Sequence, residues 1–340
     1  MKKKISLVIL SVYFTEGITI LKLTIINDHY FHKLPDELLQ EINDIAQDYD
    51  VTEVEQRDVK TDNLIDSEVV FGRIPPHLLI ELPNLKWQHL ASAGANGLTD
   101  RAIYANKSII LTKSSGTFGI PIAEHIIGMM IALSRDFGHY YKKQFEGIWD
   151  ETFPNLLDIS GSTVLIVGLG DIGTEVSRHL SVFGCRIIGL RRNAAKQHDE
   201  IKDVRSVKQL REVLPEADYV IICTPGTTET EKLFGKEEFE LMKNTAIIIN
   251  IGRGMIIDSD ALADALNRRK IFGAGLDVTE PEPLPSGHPL WSARNILITP
   301  HVSAATSVTT QRRVMVFIEQ LKKYVAGQQL SNIVDFDAGY

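Results

Sequence analysis

The sequence predicts an α/β chain built as two units, each a parallel sheet covered by helices. Three observations predict it. The chain has 340 residues, which as a prior gives about two domains. Short apolar runs of strand length alternate with helical patterns from Leu21 to about Pro300, and βαβ alternation implies parallel pairing. Between the two alternating stretches lies IPIAEHIIGMMIALSRDFGHYYKKQFEGIW, one long helical pattern that suits a connector.

Lys2, Lys3 and Lys4 precede the apolar run ISLVILSVYF, as in a signal peptide, but Thr15, Glu16 and Gly17 follow where a small-x-small cleavage site would stand. That run is also too short to span a bilayer. Residues 1–20 are read as an extension, the protein as cytoplasmic, and LKLTIIND as the first strand. PDELLQEINDIA follows as a helix opened by Pro35. DVTEVEQ, SEVVFGR, KWQHLASAG and KSIILTKS read as strands, and PPHLLIELPNL as a helix. In the connector, Ile122, Ile126, Met129, Met130 and Leu133 recur at helical spacing, so the methionines are core residues. The strands of the second unit are TVLIVGL, CRIIGL, YVIICT, AIIINI, GAGL and ILIT. EVSRHLSVF, VKQLREVL and DSDALADALNRR are its helices, the last capped by Asp258 or Ser259. VTTQRRVMVFIEQLKKYVAG is a final amphipathic helix stopped at Gly327. The second unit is complete without it, so it is expected to return to the first.

A hydrophobic share of 44% is enough for real cores. A net charge of −8 argues against a nucleic-acid partner, which calls for a basic face. Cys185 and Cys223 lie in apolar runs and read as buried thiols rather than a disulfide framework. No apolar stretch is long enough for a membrane span. No C-x-x-C or H-E-x-x-H occurs, so no metal site is expected. Ser114 and Ser115 have no base paired with them in sequence, which speaks against a serine nucleophile.

Chemistry enters at Thr163–Thr174, TVLIVGLGDIGT. Gly168, Gly170 and Gly173 form G-x-G-x-x-G after a strand and before a helix, with Asp171 and Ile172 inside the motif. Such a turn is tight, lets backbone approach a pyrophosphate, and packs helix on strand. The phosphates sit on free N–H groups at the positive helix end. A dinucleotide site of this kind usually has an acidic residue at the end of the next strand, for the ribose 2′-hydroxyl. Here Arg191 and Arg192 follow CRIIGL instead. Guanidinium forks fit a 2′-phosphate, so NADP(H) is expected over NAD(H). Polar residues then gather at successive strand ends: Asn250 and Arg253 in IINIGRG, Asp277 and Glu282 in GAGLDVTEPEPLP, and His301 in ILITPHVSAAT. Ligands of open α/β sheets bind outside those carboxyl ends. An arginine, a carboxylate and a histidine there suit proton-coupled chemistry on an anionic substrate.

The ordered motifs GLGDIG, INIGRG, GAGLDVTEPEPLP and TPHVSAAT, with SAGANGL, IPIAEH and TPGTTET, resemble the D-isomer-specific 2-hydroxyacid dehydrogenase family from about Leu21 to the end. The glycine loop with Arg191 and Arg192 is similar to its glyoxylate/hydroxypyruvate reductase-like members. The resemblance implies two Rossmann-like/flavodoxin-like domains with the active site in the cleft between them. Residues 119–300 would be the dinucleotide-binding domain, and residues 21–118 with 301–340 the substrate domain. It implies reduction of a small 2-oxo acid to the D-2-hydroxy acid, and the reverse, by a homodimer. His301 would be the acid/base, Glu282 its partner and Arg253 the substrate anchor. Asp277 would lie near the nicotinamide, and Thr224, Pro225 and Asn250 would line the cofactor cleft. Amides near Ala93, Gly94 and Ala95 would receive the substrate carboxylate, with Arg73 on the first domain's side of the pocket. The family's acidic residue after SAG is replaced by Asn96 and Gly97. A nucleotide-sensing interaction protein, like the family's corepressor relatives, is the alternative on this fold.

Overall fold

The computed structural model of the protein describes residues 21–28, 33–152, 156–194, 198 and 200–337, so the expected extension at residues 1–20 lies outside the described residues. In chain order the first sheet receives β1 (Leu21–Asn27), α1 (Asp36–Ile45), β2 (Tyr49–Glu55), α2 (Thr61–Leu64), β3 (Ser67–Phe71), β4 (Trp87–Leu90) and β5 (Ile110–Lys113). Its strand order is β2-β1-β3-β4-β5, with every named strand pair parallel. Two helices follow, α3 (Gly119–Ser134) and α4 (Phe137–Phe145). Then come β6 (Thr163–Val167), α5 (Asp171–Ser181), β7 (Arg186–Arg191), β8 (Asp203–Ser206), α6 (Leu210–Val213), β9 (Tyr219–Ile222), α7 (Lys236–Leu241), β10 (Ile247–Asn250), α8 (Ser259–Asn267), β11 (Gly273–Leu276) and β12 (Ile296–Ile298). They build a seven-stranded parallel sheet ordered β12-β11-β10-β9-β6-β7-β8. The chain ends on α9 (Thr309–Val325). The expected fold class is the one observed: two parallel-sheet, Rossmann-like units.

Both faces of each sheet are buried, which is why the strands read as continuous apolar runs. Successive side chains point to opposite faces. In β6, Leu165 and Val167 enter one core while Val164 and Ile166 enter the other. In β3, Val69 and Phe71 face one side and Val70 the other. The connector belongs with the second sheet: Ile122, Ile126, Met129, Met130 and Leu133 share a core with Val164, Ile166 and Val176. The final helix does return to the first. Val314, Phe317, Ile318 and Leu321 join Leu23, Ile25 and Trp87, and Phe317 stacks on Phe71 with ring centres 4.5 Å apart. Asp258 caps α8, accepting from the Ala261 N–H at 3.1 Å.

Four local expectations are corrected. The long helical pattern is two helices, because Asp136 between them adopts a left-handed backbone with φ 51°. PPHLLIELPNL makes only a 3-10 turn at Pro76–Glu81; Pro83 disfavours α geometry in the residue before it and leaves no room for a longer helix. VKQLREVL is a short α6 between 3-10 turns. β8 was not anticipated, since DVRS shows no apolar alternation. It is an edge strand held by charge, with Arg205 bonded to Asp203 at 2.9 Å and Glu216 at 3.0 Å. Among the described residues, no helix is long and apolar enough to cross a membrane.

His89 on β4 is fully buried between Thr112 Oγ1, 2.7 Å from Nδ1, and Ser114 Oγ, 3.0 Å from Nε2. The structure thus pairs Ser114 with a histidine that lies far off in sequence, but both are sealed from solvent, so the pair is structural. Burial pushes the imidazole pKa down to about 3, whereas the unfolded value is about 6.5. Below that unfolded value, the unfolded chain takes up a proton that the folded chain refuses. Stability is therefore lost as pH falls from about 6.5 towards the folded value, by about 2 kcal/mol at pH 5 for this one group. Urea unfolding of wild type and His89→Gln at pH 7.5 and 5.0 checks it. The variant is less stable at the higher pH but loses less on acidification; an equal loss in both removes His89 from the account.

Candidate active site

The chain leaves β6, the centre of the seven-stranded sheet, at Gly168 and enters α5 at Asp171. The turn needs its glycines: Gly168 has φ 102°, and a Cβ on Gly173 would stand 2.1 Å from the Gly168 carbonyl oxygen. α5 starts without a side-chain cap, and a Cβ built on Gly170 would meet nothing within 4 Å. An uncapped helix start beneath open space is what a dinucleotide pyrophosphate requires. Thr224 and Pro225 follow β9 beside this turn, the Thr224 nitrogen 3.0 Å from where a Gly168 Cβ would stand. Arg191 ends β7, and the next residue, Arg192, places Nη2 3.2 Å from Glu229 Oε2. Two cations at the end of β7, one of them paired with Glu229, fit a 2′-phosphate. The Asp171 side chain faces elsewhere. It accepts from the backbone N–H groups of Gly119 and Gly116, while burial and Glu175 push its pKa up. It ties the glycine loop to the start of α3.

Residues from both sheets line a cavity of about 820 Å³. Arg73, Ala93, Gly94, Ile172, Arg253 and His301 all reach it. Arg253 follows β10. Its Nη1 donates to the Gly252 carbonyl at 2.6 Å, and its Nη2 donates to Asn96 Oδ1 at 3.2 Å, across the two units. Gly94 makes that reach possible, since a Cβ there would lie 2.2 Å from Arg253 Nη2. Burial pushes the Arg253 pKa down, Glu282 opposes this and Arg73 adds to it; guanidinium remains charged regardless. His301 follows β12 in a left-handed conformation, φ 55°, with Nδ1 2.6 Å from Glu282 Oε1.

Two residues expected near the cofactor are buried braces. Asn250 is fully buried; its Nδ2 donates to the Arg253 carbonyl at 2.9 Å, and its Oδ1 accepts from the Gly252 N–H at 3.0 Å. It fixes the turn that presents Arg253. Asp277 is 1% exposed and accepts from Thr299 Oγ1 at 2.6 Å and from the Val302 and Ser303 N–H groups at 2.9 and 3.0 Å. Burial alone would raise its pKa, but hydrogen bonds from Ser303, Thr299 and Val302 outweigh that and hold it below the usual carboxylate range. It fixes the loop that carries His301. His125 on α3 adds a 3.1 Å contact from Nε2 to Thr299 Oγ1. Ala95 is buried behind the cavity wall rather than on it.

Thr310 and Arg313 also line the cavity and had not been anticipated. They lie one helical turn apart on α9, and that i, i+3 spacing was the available signal. Arg313 is buried, 3.6 Å from Asp28 Oδ2. Among the described residues, no group of His, Cys, Asp and Glu could hold a metal ion.

Comparison with known proteins agrees with this geometry. The family model for the D-isomer specific 2-hydroxyacid dehydrogenase NAD binding domain matches residues 127–303. The chain is 30% identical to glyoxylate/hydroxypyruvate reductase B of Escherichia fergusonii over 318 residues, 90% of this chain and 96% of that one. It is 34% identical to D-3-phosphoglycerate dehydrogenase of Methanocaldococcus jannaschii over 229 residues, 67% of this chain but only 44% of that longer protein. The crystal structure of the NADPH-dependent glyoxylate/hydroxypyruvate reductase of Sinorhizobium meliloti, with NADP and malonate, superposes with a TM-score of 0.76 at 25% identity, covering 93% of this chain and 97% of that one.

Proposed function

We propose, for a chain that belongs to the D-isomer-specific 2-hydroxyacid dehydrogenase family, that its cleft reduces a short 2-oxo acid to the D-2-hydroxy acid with NADPH. The family makes it an NAD(P)-dependent oxidoreductase. One observation carries the finer reading: Arg253 and the Glu282-bound His301 converge on a single cavity next to the glycine loop. Gly168, Gly170 and Gly173 with Thr224 and Pro225 would hold the dinucleotide, and Arg191 and Arg192 its 2′-phosphate. When bound, the nicotinamide supplies the hydride. The chain's own residues do the rest. Arg253 grips the carboxylate and carbonyl of the acid with two N–H groups, fixing the carbonyl's orientation. The same fork stabilises negative charge as it develops on the carbonyl oxygen. Glu282 occupies His301 Nδ1, so Nε2 is the nitrogen that delivers the proton to that oxygen. Amides near Ala93 and Gly94 take the far side of the carboxylate.

The NADPH preference rests on the two arginines and on the NADPH dependence of the Sinorhizobium enzyme. We take the unit boundaries at residues 118/119 and 300/301 and a homodimer as the working state. Tyr141, Phe145, Ile148 and Trp149 form an exposed apolar row along and after α4 suited to a second copy. Initial rates with glyoxylate, hydroxypyruvate, pyruvate and bulkier 2-oxo acids, each with NADPH and NADH, test the reading. Turnover of at least one short acid is expected, with kcat/KM for NADPH about tenfold or more above NADH. No turnover on any acid overturns the reaction, and preference for NADH overturns the cofactor assignment.

A further inference from the structure

The cavity wall has an unusual charge balance. Among the described residues its side chains include Arg73, Arg253, Arg313 and His301, and no aspartate or glutamate, in a chain of net charge −8. Arg313 has Asp28 behind it, and His301 has Glu282. Among the described residues, no carboxylate lies within ion-pair distance of Arg73 or Arg253. Both are instead bound to one neutral residue. Arg73 Nη2 donates to the Asn96 carbonyl at 2.5 Å, and Arg253 Nη2 donates to Asn96 Oδ1 at 3.2 Å. Asn96 thus holds two guanidinium groups side by side without cancelling either charge. The two feel each other: Arg73 pushes the Arg253 pKa down.

We infer that this arrangement selects 2-oxo acids bearing a second anionic group at the end away from the carbonyl. Arg253 takes the carboxylate–carbonyl end and Arg73 the distal anion. Asn96 is the specificity-determining neutral spacer. A monocarboxylate compensates one cation and leaves the other facing its uncharged end. A dianion compensates both and removes their mutual repulsion. An aspartate at position 96 would put a carboxylate against Arg253 Nη2 and a negative charge beside Arg73, and so cancel the preference. Arg73 lies just after β3 in the first sheet, whereas the glycine loop follows β6 in the second, so its selectivity is expected on the acid and not on the dinucleotide phosphates.

This rests on the reaction proposed above, and matched substrate pairs separate the two. Steady-state kcat/KM is measured on the full chain with saturating NADPH for oxaloacetate against 2-oxobutyrate, and for 3-phosphohydroxypyruvate against hydroxypyruvate. The first pair tests a distal carboxylate and the second a distal phosphate. In at least one pair the dianion is favoured about tenfold or more at low salt, less at high salt because the cleft is open to solvent. Arg73→Leu and Asn96→Asp each bring that ratio to within about threefold of unity. Arg73→Lys retains part of it, since it keeps the charge and loses the fork. If no acid of either kind turns over, the proposed reaction fails. If monoanions turn over and neither dianion is preferred, the reaction stands and this inference falls. It also falls if both variants leave the ratio unchanged, or if Arg73→Leu acts on the KM for NADPH instead.

Discussion

His301→Ala is expected to lower kcat on the order of 10³-fold while leaving NADPH binding within about twofold. Removing a positioned general acid typically costs 10²- to 10⁴-fold. The case for chemistry rather than folding comes from where the ring sits. His301 is exposed on the cavity side, and its loop is held from behind through backbone groups. The His301 N–H donates to the Asp277 carbonyl at 2.8 Å, and the Val302 and Ser303 N–H groups bind the Asp277 carboxylate. Alanine keeps every one of those bonds. The glycine loop follows β6 and Arg191 ends β7; the phosphate contacts proposed for them do not involve the imidazole, so cofactor affinity should not follow it. Fluorescence titration with NADPH and single-turnover reduction of the best acid separate binding from proton delivery. A variant retaining more than about a tenth of wild-type turnover would remove His301 from the proton-transfer role.

Much of this site could be read before any coordinates, for a physical reason. A parallel sheet buried on both faces forces apolar runs, and a charged residue at the end of such a run has only the carboxyl edge to occupy. That placed Arg253, Glu282 and His301 together. The glycine turn was legible because its sterics exclude other residues at Gly173. What stayed hidden depends on pairing between distant segments. Asn250 and Asp277 sit in the same motifs as Arg253 and Glu282, and nothing local distinguishes a residue facing the cleft from one bracing the loop behind it. Asp171 lies inside the phosphate-loop motif, yet its carboxylate answers to Gly116 and Gly119, some 50 residues earlier. β8 escaped because four polar residues held by ion pairs carry no hydrophobic period. The helix break at Asp136 escaped because neither glycine nor proline marks it.

Arg253→Lys tests whether the fork, and not merely the charge, does the work. The expected result is a loss of about 100-fold in kcat/KM, close to 2.7 kcal/mol at about 1.4 kcal/mol per tenfold. Lysine offers a compact ammonium on a flexible stem, whereas guanidinium presents two parallel N–H groups in a rigid plane. The structure spends several features on that plane. Gly94 clears space for Nη2, and a Cβ on Gly226 would come within 3.1 Å of both Arg253 Cβ and Cγ, so the stem has little freedom. Asn250 fixes the backbone from which the stem rises. Gly252 and Asn96 then orient the two terminal nitrogens. An ammonium placed on the same stem keeps the attraction for a carboxylate but cannot bridge to the carbonyl oxygen, where charge grows during reduction. The loss should therefore appear in kcat as well as in KM, because an interaction absent from the transition state lowers the chemical step itself. A variant in which only KM rises would mean that Arg253 merely attracts the acid. One within about threefold of wild type in kcat/KM would mean that the two-point grip is not used.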